Sequence, residues 1–413
     1  MTKNTTRNLL AAALACAIFS AGASAAERAR LLPAAQGDLI ASRLATDKAA
    51  LPVDAERAPV DFAWAVDPAE ALSASTPFTA RSREFWTDMD ANAMREGYRF
   101  TTTAPGALVR ISPANGAKSG ASLQVSDIAL RINGRNVDTA TAIRTSADAA
   151  QMKAAGAQFP EGTLAFRLSQ DAGAGQVEMK IGNATGHYLV HVFEPDSPLE
   201  LNLSASSDKA LAGGSLTLTA NLANAAAKVQ AESIGGVVTS PDGASINVRF
   251  KRDADGQYRA QVALPENAGN GLDLWEAHTF AVAGFNGARV PRDAKTSFAV
   301  SLPTAKLGSD VSVDTSQGVR VSLPVEAAST GRYEVRGVLY GTAQDGSMKP
   351  FAVSHSARWL EPGKATIALN FGKELVPADI GAPFELREVS LNDQTRLGQL
   401  ETRSVALRFG STK

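Results

Sequence analysis

The feature that most constrains the fold is the regular alternation of apolar and polar residues in the second half of the chain. From residue 197 onward, short runs alternate with a period of two, as in Leu199, Leu201 and Leu203. Turn-forming residues separate these runs about every 8 to 12 positions. Because such alternation gives each strand one apolar face, a second sheet is needed to cover it. About seven strands between residues 197 and 302 predict an immunoglobulin-like sandwich.

Prolines mark the domain boundaries. Residues 195–198 read Pro-Asp-Ser-Pro, and strand pairing is not expected to run through two residues that cannot donate ladder hydrogen bonds. Pro303 plays the same part before a third alternating unit, and 413 residues are too many for one core. We therefore predict a signal peptide at 1–25, an N-terminal β-rich domain at 26–195, an immunoglobulin-like domain at 196–302 and a third β-sandwich-like domain at 303–413.

The first of these domains is predicted to be mainly β with a little helix. Asn133 and Gly134 follow an apolar run and give the strongest short hairpin signal. Residues 60–66 have an alternating side-chain pattern and lie between two prolines, which favours an edge strand. The alanine-rich stretch 138–155 contains no proline and predicts one short helix. The fold class expected for the whole chain is mainly β, with three tandem β-rich domains.

The N-terminus predicts export. Lys3 and Arg7 precede an apolar run at residues 9–19, and a small-x-small pattern ends at Ala25. This is the pattern of a signal peptide cleaved near Ala25, so we expect a periplasmic or secreted protein. The apolar run is shorter than the roughly 20 residues that cross a bilayer, and no membrane span is expected.

The single cysteine, Cys16, lies inside the predicted signal peptide. Lipidation of Cys16 is an alternative outcome of cleavage, but Ala13 stands where such signals carry a large aliphatic residue. After cleavage near Ala25 the chain would contain no cysteine. Disulfide bonds, a cysteine nucleophile and thiolate metal sites are then excluded.

Charge and motifs narrow the classes of function. The chain has 41 Lys and Arg residues against 42 Asp and Glu residues, with no run of five like charges. A nucleic-acid surface needs clustered positive charge, so no nucleic-acid partner is expected. Neither a Gly-x-Ser-x-Gly nucleophile elbow nor a phosphate-binding glycine loop occurs. We predict no catalytic and no cofactor-binding residues, although a catalytic triad needs no local motif.

Two patterns resemble metal sites. His187 and His191 are four residues apart, but on a strand this spacing separates them by about 13 Å, too far to share one ion. Asp88, Asp90 and Glu96 lie close together in the sequence. A helical calcium loop that starts at Asp88 would need glycine at its sixth position and glutamate at its twelfth, and neither is present. A solvated turn explains these carboxylates better, and no metal ligand is predicted.

Aromatic residues supply the candidate binding residues. Trp64, Phe85 and Trp86 are among those most able to form a contact surface, and Phe85 and Trp86 are the best candidates. They are adjacent, so one of them faces outward if the segment is a strand. Packing between domains is the alternative. Tyr188, Tyr258 and Tyr333 each follow a Gly-x pair at the start of an alternating run. In sandwich domains such tyrosines are commonly buried and hydrogen-bond back across a corner, so this interpretation is favoured and a shared binding surface is the alternative.

The sequence resembles a known family. Residues 82–86, Ser-Arg-Glu-Phe-Trp, and the segments 103–113, 331–340 and 391–397 are similar to family 4785 of domains of unknown function. The resemblance covers essentially the whole chain after the predicted signal peptide. It implies secreted bacterial proteins with an N-terminal domain, an immunoglobulin-like second domain and a β-rich third domain. It implies no catalytic residues.

Two functions are compatible with these features. Serial sandwich domains commonly present loops and strand edges to partners, which favours a non-catalytic binding or envelope-interaction protein with an unknown protein or glycan partner. The alternative is a hydrolase, or an accessory protein of one, with its site in the N-terminal domain. No cofactor is expected for either function.

Overall fold

The computed structural model describes residues 27–47, 56–69, 72, 76–114, 120–224, 227–269 and 273–410. Strands hold 59% of these residues and helices 7%, so the mainly-β fold class is confirmed. The predicted signal peptide and Cys16 lie outside the described residues. In the ranges above, we find no helix with the length and apolar character needed to span a membrane.

An N-terminal segment contributes two strands that precede the first unit. They are β1 (Glu27–Arg30) and β2 (Val60–Ala65). The first unit then packs two antiparallel sheets against each other. Its elements are β3 (Thr79–Ser82), β4 (Glu84–Asp90), α1 (Ala91–Glu96), β5 (Tyr98–Thr102), β6 (Leu108–Pro113), β7 (Ile128–Ile132), β8 (Arg135–Val137), α2 (Thr139–Ala142), β9 (Ile143–Asp148), α3 (Ala149–Ala154), β10 (Leu164–Leu168), β11 (Gly175–Ile181) and β12 (His187–Phe193).

One sheet of the first unit has the order β4-β12-β6-β10-β9 and the other β5-β11-β7-β8. The predicted hairpin is confirmed, because Asn133 and Gly134 adopt φ angles of 50° and 78° between β7 and β8. The prediction of one helix over residues 138–155 is wrong. Asp138 and Asp148 cap two separate short helices, and β9 between them pairs with β10. Tertiary pairing overrides the helix propensity of the alanines here.

The second unit is a sandwich whose core residues all lie between Leu199 and Leu302. One sheet has the order β19-β20-β15-β13, with β16 on β15, and the other has β18-β17-β21-β22, with β14 on β22. The strands are β13 (Leu199–Ala205), β14 (Lys209–Leu211), β15 (Ser215–Asn224), β16 (Ala227–Val229), β17 (Ala231–Thr239), β18 (Ser245–Val248), β19 (Lys251–Arg252), β20 (Tyr258–Ala263), β21 (Trp275–Phe285) and β22 (Ala288–Ser301).

The third unit is also built from two sheets. Its own strands are β23 (Ala305–Leu307), β24 (Asp310–Asp314), β25 (Gly318–Ala327), β26 (Gly331–Ala343), β27 (Met348–Leu360), β28 (Gly363–Gly372), β29 (Ile380–Asp393) and β30 (Gly398–Phe409). One sheet has the order β1-β24-β25-β23, with β28 on β25, and the other has β2-β27-β26-β29-β30. Both strands of the N-terminal segment therefore complete sheets of the third unit.

Several strand pairings cross the predicted domain boundaries, and the boundaries themselves stay predictions. Residues 26–195 are predicted as one domain, yet β1 and β2 pair with the third unit and β3 pairs with β13 of the second unit. The first and second units also share a sheet, because β4 and β22 pair where Glu84 faces Asp293. The N-terminal segment and the shared sheet thus join all three units.

Candidate functional site

Two exposed rings on an edge strand of the third unit stack with a mostly buried ring on the neighbouring strand. Phe62 and Trp64 lie two residues apart on β2, so their side chains share one face, and they are 50% and 44% exposed. Their ring centroids are 5.6 Å apart, and those of Phe62 and Trp64 lie 4.9 and 5.2 Å from His355 of β27. The planes deviate from parallel by 7° to 17°. We call Phe62, Trp64 and His355 the ring cluster.

Strand pairing and two side-chain contacts hold the ring cluster in place. Phe62 faces His355 across the β2–β27 pair, and His355 Nδ1 lies 2.5 Å from Glu334 Oε1. Arg358 Nη2 donates to Asp61 Oδ2 at 2.6 Å, which ties β2 to β27. Burial opposes ionisation of Asp61, but hydrogen bonds from Arg358 and Ser356 outweigh it and lower the pKa of that carboxyl. Asp61 therefore stays charged and keeps this tie at neutral pH.

A row of side chains leads from the ring cluster across the sheet. The strand register aligns one residue from each of its five strands, in the order Phe62, His355, Arg336, Ser390 and Thr402. With strands about 4.8 Å apart, this row spans roughly 19 Å. Arg336 is the middle residue of the row, and its side chain is half-buried. The row therefore joins an aromatic end to a cationic centre.

The far half of the row forms the floor of a cleft of about 640 Å³. Strands β26, β29 and β30 supply the floor, and residues 37–39 and 207–209 contribute to the walls. Leu39 N–H donates to Thr402 Oγ1 at 2.9 Å and closes the far end of the row. Lys209 of the second unit and Arg336 of the third both line this cleft. The cleft therefore lies between two units, and Arg336 belongs both to its lining and to the row that leads to the ring cluster.

The residues predicted from the sequence lie elsewhere. Phe85 is 1% exposed and packs edge-on against Phe100, so its side chain belongs to the first unit's core. Trp86 is half-buried, and its ring stacks on His191 with centroids 4.6 Å apart. The ammonium group of Lys295, from the second unit, lies 5.6 Å from the Trp86 ring centroid. Trp86 thus contacts both units, and a role in ligand binding stays a prediction for it.

Two of the histidines lie beside single carboxylates. His191 Nε2 lies 2.7 Å from Glu84 Oε2, and His278 Nε2 lies 3.6 Å from Asp293 Oδ2. Within the described ranges, no three His, Cys, Asp or Glu side chains are arranged to hold a metal ion. The three tyrosines of the Gly-x-Tyr pattern are buried in separate places, and Tyr333 Oη donates to the carbonyl of Ser329 at 2.7 Å. They form no shared surface.

The ring cluster was only partly predictable. The edge strand at residues 60–66 was predicted and is confirmed as β2, and Trp64 was among the candidate contact residues. His355 carries no local signal, because its place beside Phe62 depends on pairing between distant parts of the chain. Three large apolar residues on one face of a proline-flanked strand, Val60, Phe62 and Trp64, are the pattern that could have indicated an exposed patch.

Comparison with known proteins identifies relatives of unknown function. The chain matches the N-terminal domain of DUF4785, a domain of unknown function, over residues 52–194, and the C-terminal domain of DUF4785 over residues 304–409. A crystal structure of a DUF4785 family protein from Legionella pneumophila is similar over 92% of this chain and 99% of that chain, with 18% identity and a TM-score of 0.70. At this identity the similarity shows a common fold.

Two further structures are more distant. Trypsin-activated α-2-macroglobulin from Escherichia coli matches at 14% identity over 74% of this chain and 22% of that chain, with a TM-score of 0.19. The Escherichia coli adhesin FdeC matches at 14% identity over 80% of this chain and 99% of that chain, with a TM-score of 0.20. These scores are too low to support a functional argument. None of the curated proteins matches the chain.

Proposed function

We propose that this chain, which belongs to the DUF4785 family, is an exported, non-catalytic protein that binds a glycan of the bacterial envelope on the ring cluster. The observation that carries the proposal is the pair of exposed, nearly parallel rings of Phe62 and Trp64, which stack with the mostly buried ring of His355. Large aromatic side chains are normally covered, and a group of them left in solvent on an edge strand marks an interaction site.

A glycan suits this surface because of its shape. An aromatic ring offers a flat apolar face, and the C–H face of a pyranose ring is flat and apolar as well. The two exposed rings deviate from parallel by only 11°, so their flat faces have nearly the same orientation. The tie between Asp61 and Arg358 fixes the strand that carries them. A preorganised surface loses little conformational entropy on binding.

Export is the second part of the proposal. It rests on the positive charges of Lys3 and Arg7, the apolar run at residues 9–19 and the small-x-small pattern ending at Ala25. N-terminal sequencing of the protein from the periplasm or the medium should give a first residue near Ala26. A mature chain that begins at a lipid-modified Cys16, or an intact Met1 in the cytoplasm, would contradict export of a soluble form.

Affinity electrophoresis tests the binding proposal. Gels cast with solubilised peptidoglycan, lipopolysaccharide O-chains or uronate polymers should retard the wild-type protein. The double variant Phe62→Ala/Trp64→Ala should migrate as in a plain gel. Phe78→Ala is the matched control, because Phe78 is 70% exposed but lies outside the ring cluster, and it should be retarded like the wild type. Retardation that survives the double variant would contradict the proposal.

A parallel assay of reducing ends separates binding from hydrolysis. After long incubation of the protein with the retarding polysaccharide, the number of reducing ends should stay at that of the buffer control. A time-dependent increase that scales with protein concentration would favour the hydrolase alternative instead.

A further inference from the structure

We infer that the ring cluster and the neighbouring cleft form one binding site for a carboxylate-bearing glycan, with Arg336 and Lys209 binding the carboxylates. This inference rests on the proposed function and specifies the ligand of the same surface. The ring cluster lies at one end of the site, Arg336 lies two strands away in the cleft floor, and Lys209 lines the cleft from the second unit.

Arg336 has no hydrogen-bond acceptor among the described residues, because the nearby carboxylate is engaged elsewhere. Glu334, two residues before it on the same face of β26, is bonded to His355 and accepts from the side-chain amide of Asn392 at 3.3 Å. Among the described residues, no carboxylate or carbonyl accepts a hydrogen bond from the Arg336 guanidinium, and no ion pair involves it. The guanidinium of this half-buried side chain is therefore available to an acceptor on a ligand. A ligand carboxylate would supply a two-pronged acceptor.

The other arginines of the cleft are already neutralised. Arg387 Nη2 lies 2.5 Å from Glu385 Oε2, and Arg403 Nε lies 2.7 Å from Glu401 Oε1. Lys209 resembles Arg336 in this respect, because its ammonium group has no ion pair or hydrogen bond within the described ranges. The cationic groups available to a ligand are therefore these two, one on each side of the boundary between units.

Acidic residues limit where the anion can sit. Asp208 and Glu388 also line the cleft, so its charge is mixed along its length. Asp38 is engaged, because its Oδ1 accepts from Ser404 N–H at 2.8 Å. The Arg336 end adjoins the ring cluster, about 10 Å from Phe62 at the usual strand spacing. A sugar that stacks on the rings can therefore place a carboxylate of a neighbouring unit on Arg336.

Calorimetric titration with a matched pair of ligands tests the inference. Octagalacturonate carries a carboxylate on each unit, and its methyl ester has the same backbone without the charge. We expect the wild type to bind the acid about 10- to 100-fold more tightly than the ester, the range for a hydrogen bond to a charged group. The preference should shrink as salt is raised, because the charges are partly exposed.

Charge-removing variants locate the effect. Arg336→Gln should weaken binding of the acid about tenfold or more, Lys209→Gln should weaken it less, and neither should change binding of the ester. Arg336→Lys keeps the charge but loses the planar fork, so its affinity should be intermediate. Arg135→Gln removes an exposed cation of the first unit and should bind like the wild type. Circular dichroism and the melting temperature of each variant confirm that it is folded.

The outcomes separate this inference from the proposed function. Equal binding of acid and ester, together with an unchanged Arg336→Gln, would overturn the inference, while loss of binding in Phe62→Ala/Trp64→Ala would still support the proposed function. Absence of measurable binding of octagalacturonate by the folded wild type would also overturn the inference. Binding of both ligands by the double variant as tightly as by the wild type would refute the proposed function and the inference together.

Discussion

Arg292 of β22 and Glu194, the residue after β12, form an ion pair in which both side chains are completely buried, with Nη2 and Oε1 2.9 Å apart. Arg292 Nη2 also donates to Ser197 Oγ at 2.8 Å, and Arg292 Nε donates to the carbonyl of Leu199 at 3.0 Å. Glu194 Oε2 accepts from Ala104 N–H at 3.1 Å. The pair therefore connects the first unit, the linker and the second unit across the predicted boundary.

Removing Glu194 should destabilise the junction strongly. Glu194→Gln leaves Arg292 charged and buried without its counter-ion, which should cost about 3–5 kcal/mol in the free energy of unfolding. Glu232→Gln is the control, since it breaks the exposed pair with Arg289 and should cost at most about 1 kcal/mol. Guanidinium denaturation of both variants measures the difference. Equal, small effects would show that the buried pair does not hold the units together.

Phe85 and Trp86 should behave differently although they are adjacent. Phe85→Ala empties a core position and should cost about 3–5 kcal/mol. Trp86→Ala removes a half-buried ring that touches His191 and Lys295, so we expect a smaller loss, about 1–2 kcal/mol. The melting temperatures of the two variants provide the comparison. A larger loss for Trp86→Ala would mean that the junction depends on this ring more than its exposure indicates.

Local signals explain what the sequence predicted. The hairpin at Asn133, the edge strand at residues 60–66 and the stop at Pro195 each depend on a few neighbouring residues, and the structure has a turn, an edge strand and a strand end there. The family resemblance is confirmed as well. The single helix predicted over 138–155 was wrong because pairing between β9 and β10 competes with the helix propensity of the alanines. The local sequence shows the propensity but not the pairing.

Long-range pairing explains what the sequence could not predict. Asp61 and Ser356 are hydrogen-bonded although they are 295 positions apart along the chain. No periodicity records such a contact, so neither the position of His355 beside Phe62 nor the cleft between Arg336 and Lys209 followed from the residues. The Arg292–Glu194 pair was missed for the same reason. Charged residues are normally exposed, and only the packed units place these two in the interior.

Tyr333 should make the third unit sensitive to alkali. Burial raises the pKa of Tyr333 to about 12, so the folded state holds the phenolic proton more tightly than the unfolded chain, whose value is near 10. The stabilisation is complete below pH 10 and is lost as the pH rises toward 12. Tyr333→Phe should cost about 1–2 kcal/mol at neutral pH, through loss of the bond to Ser329. Urea denaturation from about pH 9 to about pH 12 should show that cost shrinking, whereas a constant cost would contradict this explanation.

The N-terminal segment should stabilise the third unit rather than the first. A chain that begins at Thr76 lacks β1 and β2 and exposes the edges of β24 and β27. We expect the third unit of this chain to unfold at a lower temperature, while the first unit keeps its transition. Hydrogen exchange followed by mass spectrometry assigns the loss of protection to peptides. Lower protection in β4 or β12 instead would assign residues 27–65 to the first unit.

The most direct test of the account uses fluorine NMR on protein labelled with 5-fluorotryptophan. The chain has four tryptophans, so each resonance can be assigned by single substitutions. On addition of octagalacturonate, we predict that the Trp64 resonance shifts in proportion to bound ligand, while those of Trp86 and the buried Trp275 stay in place. A ligand-dependent shift of Trp86 with an unchanged Trp64 would contradict the account and place the binding site at the junction of the first and second units.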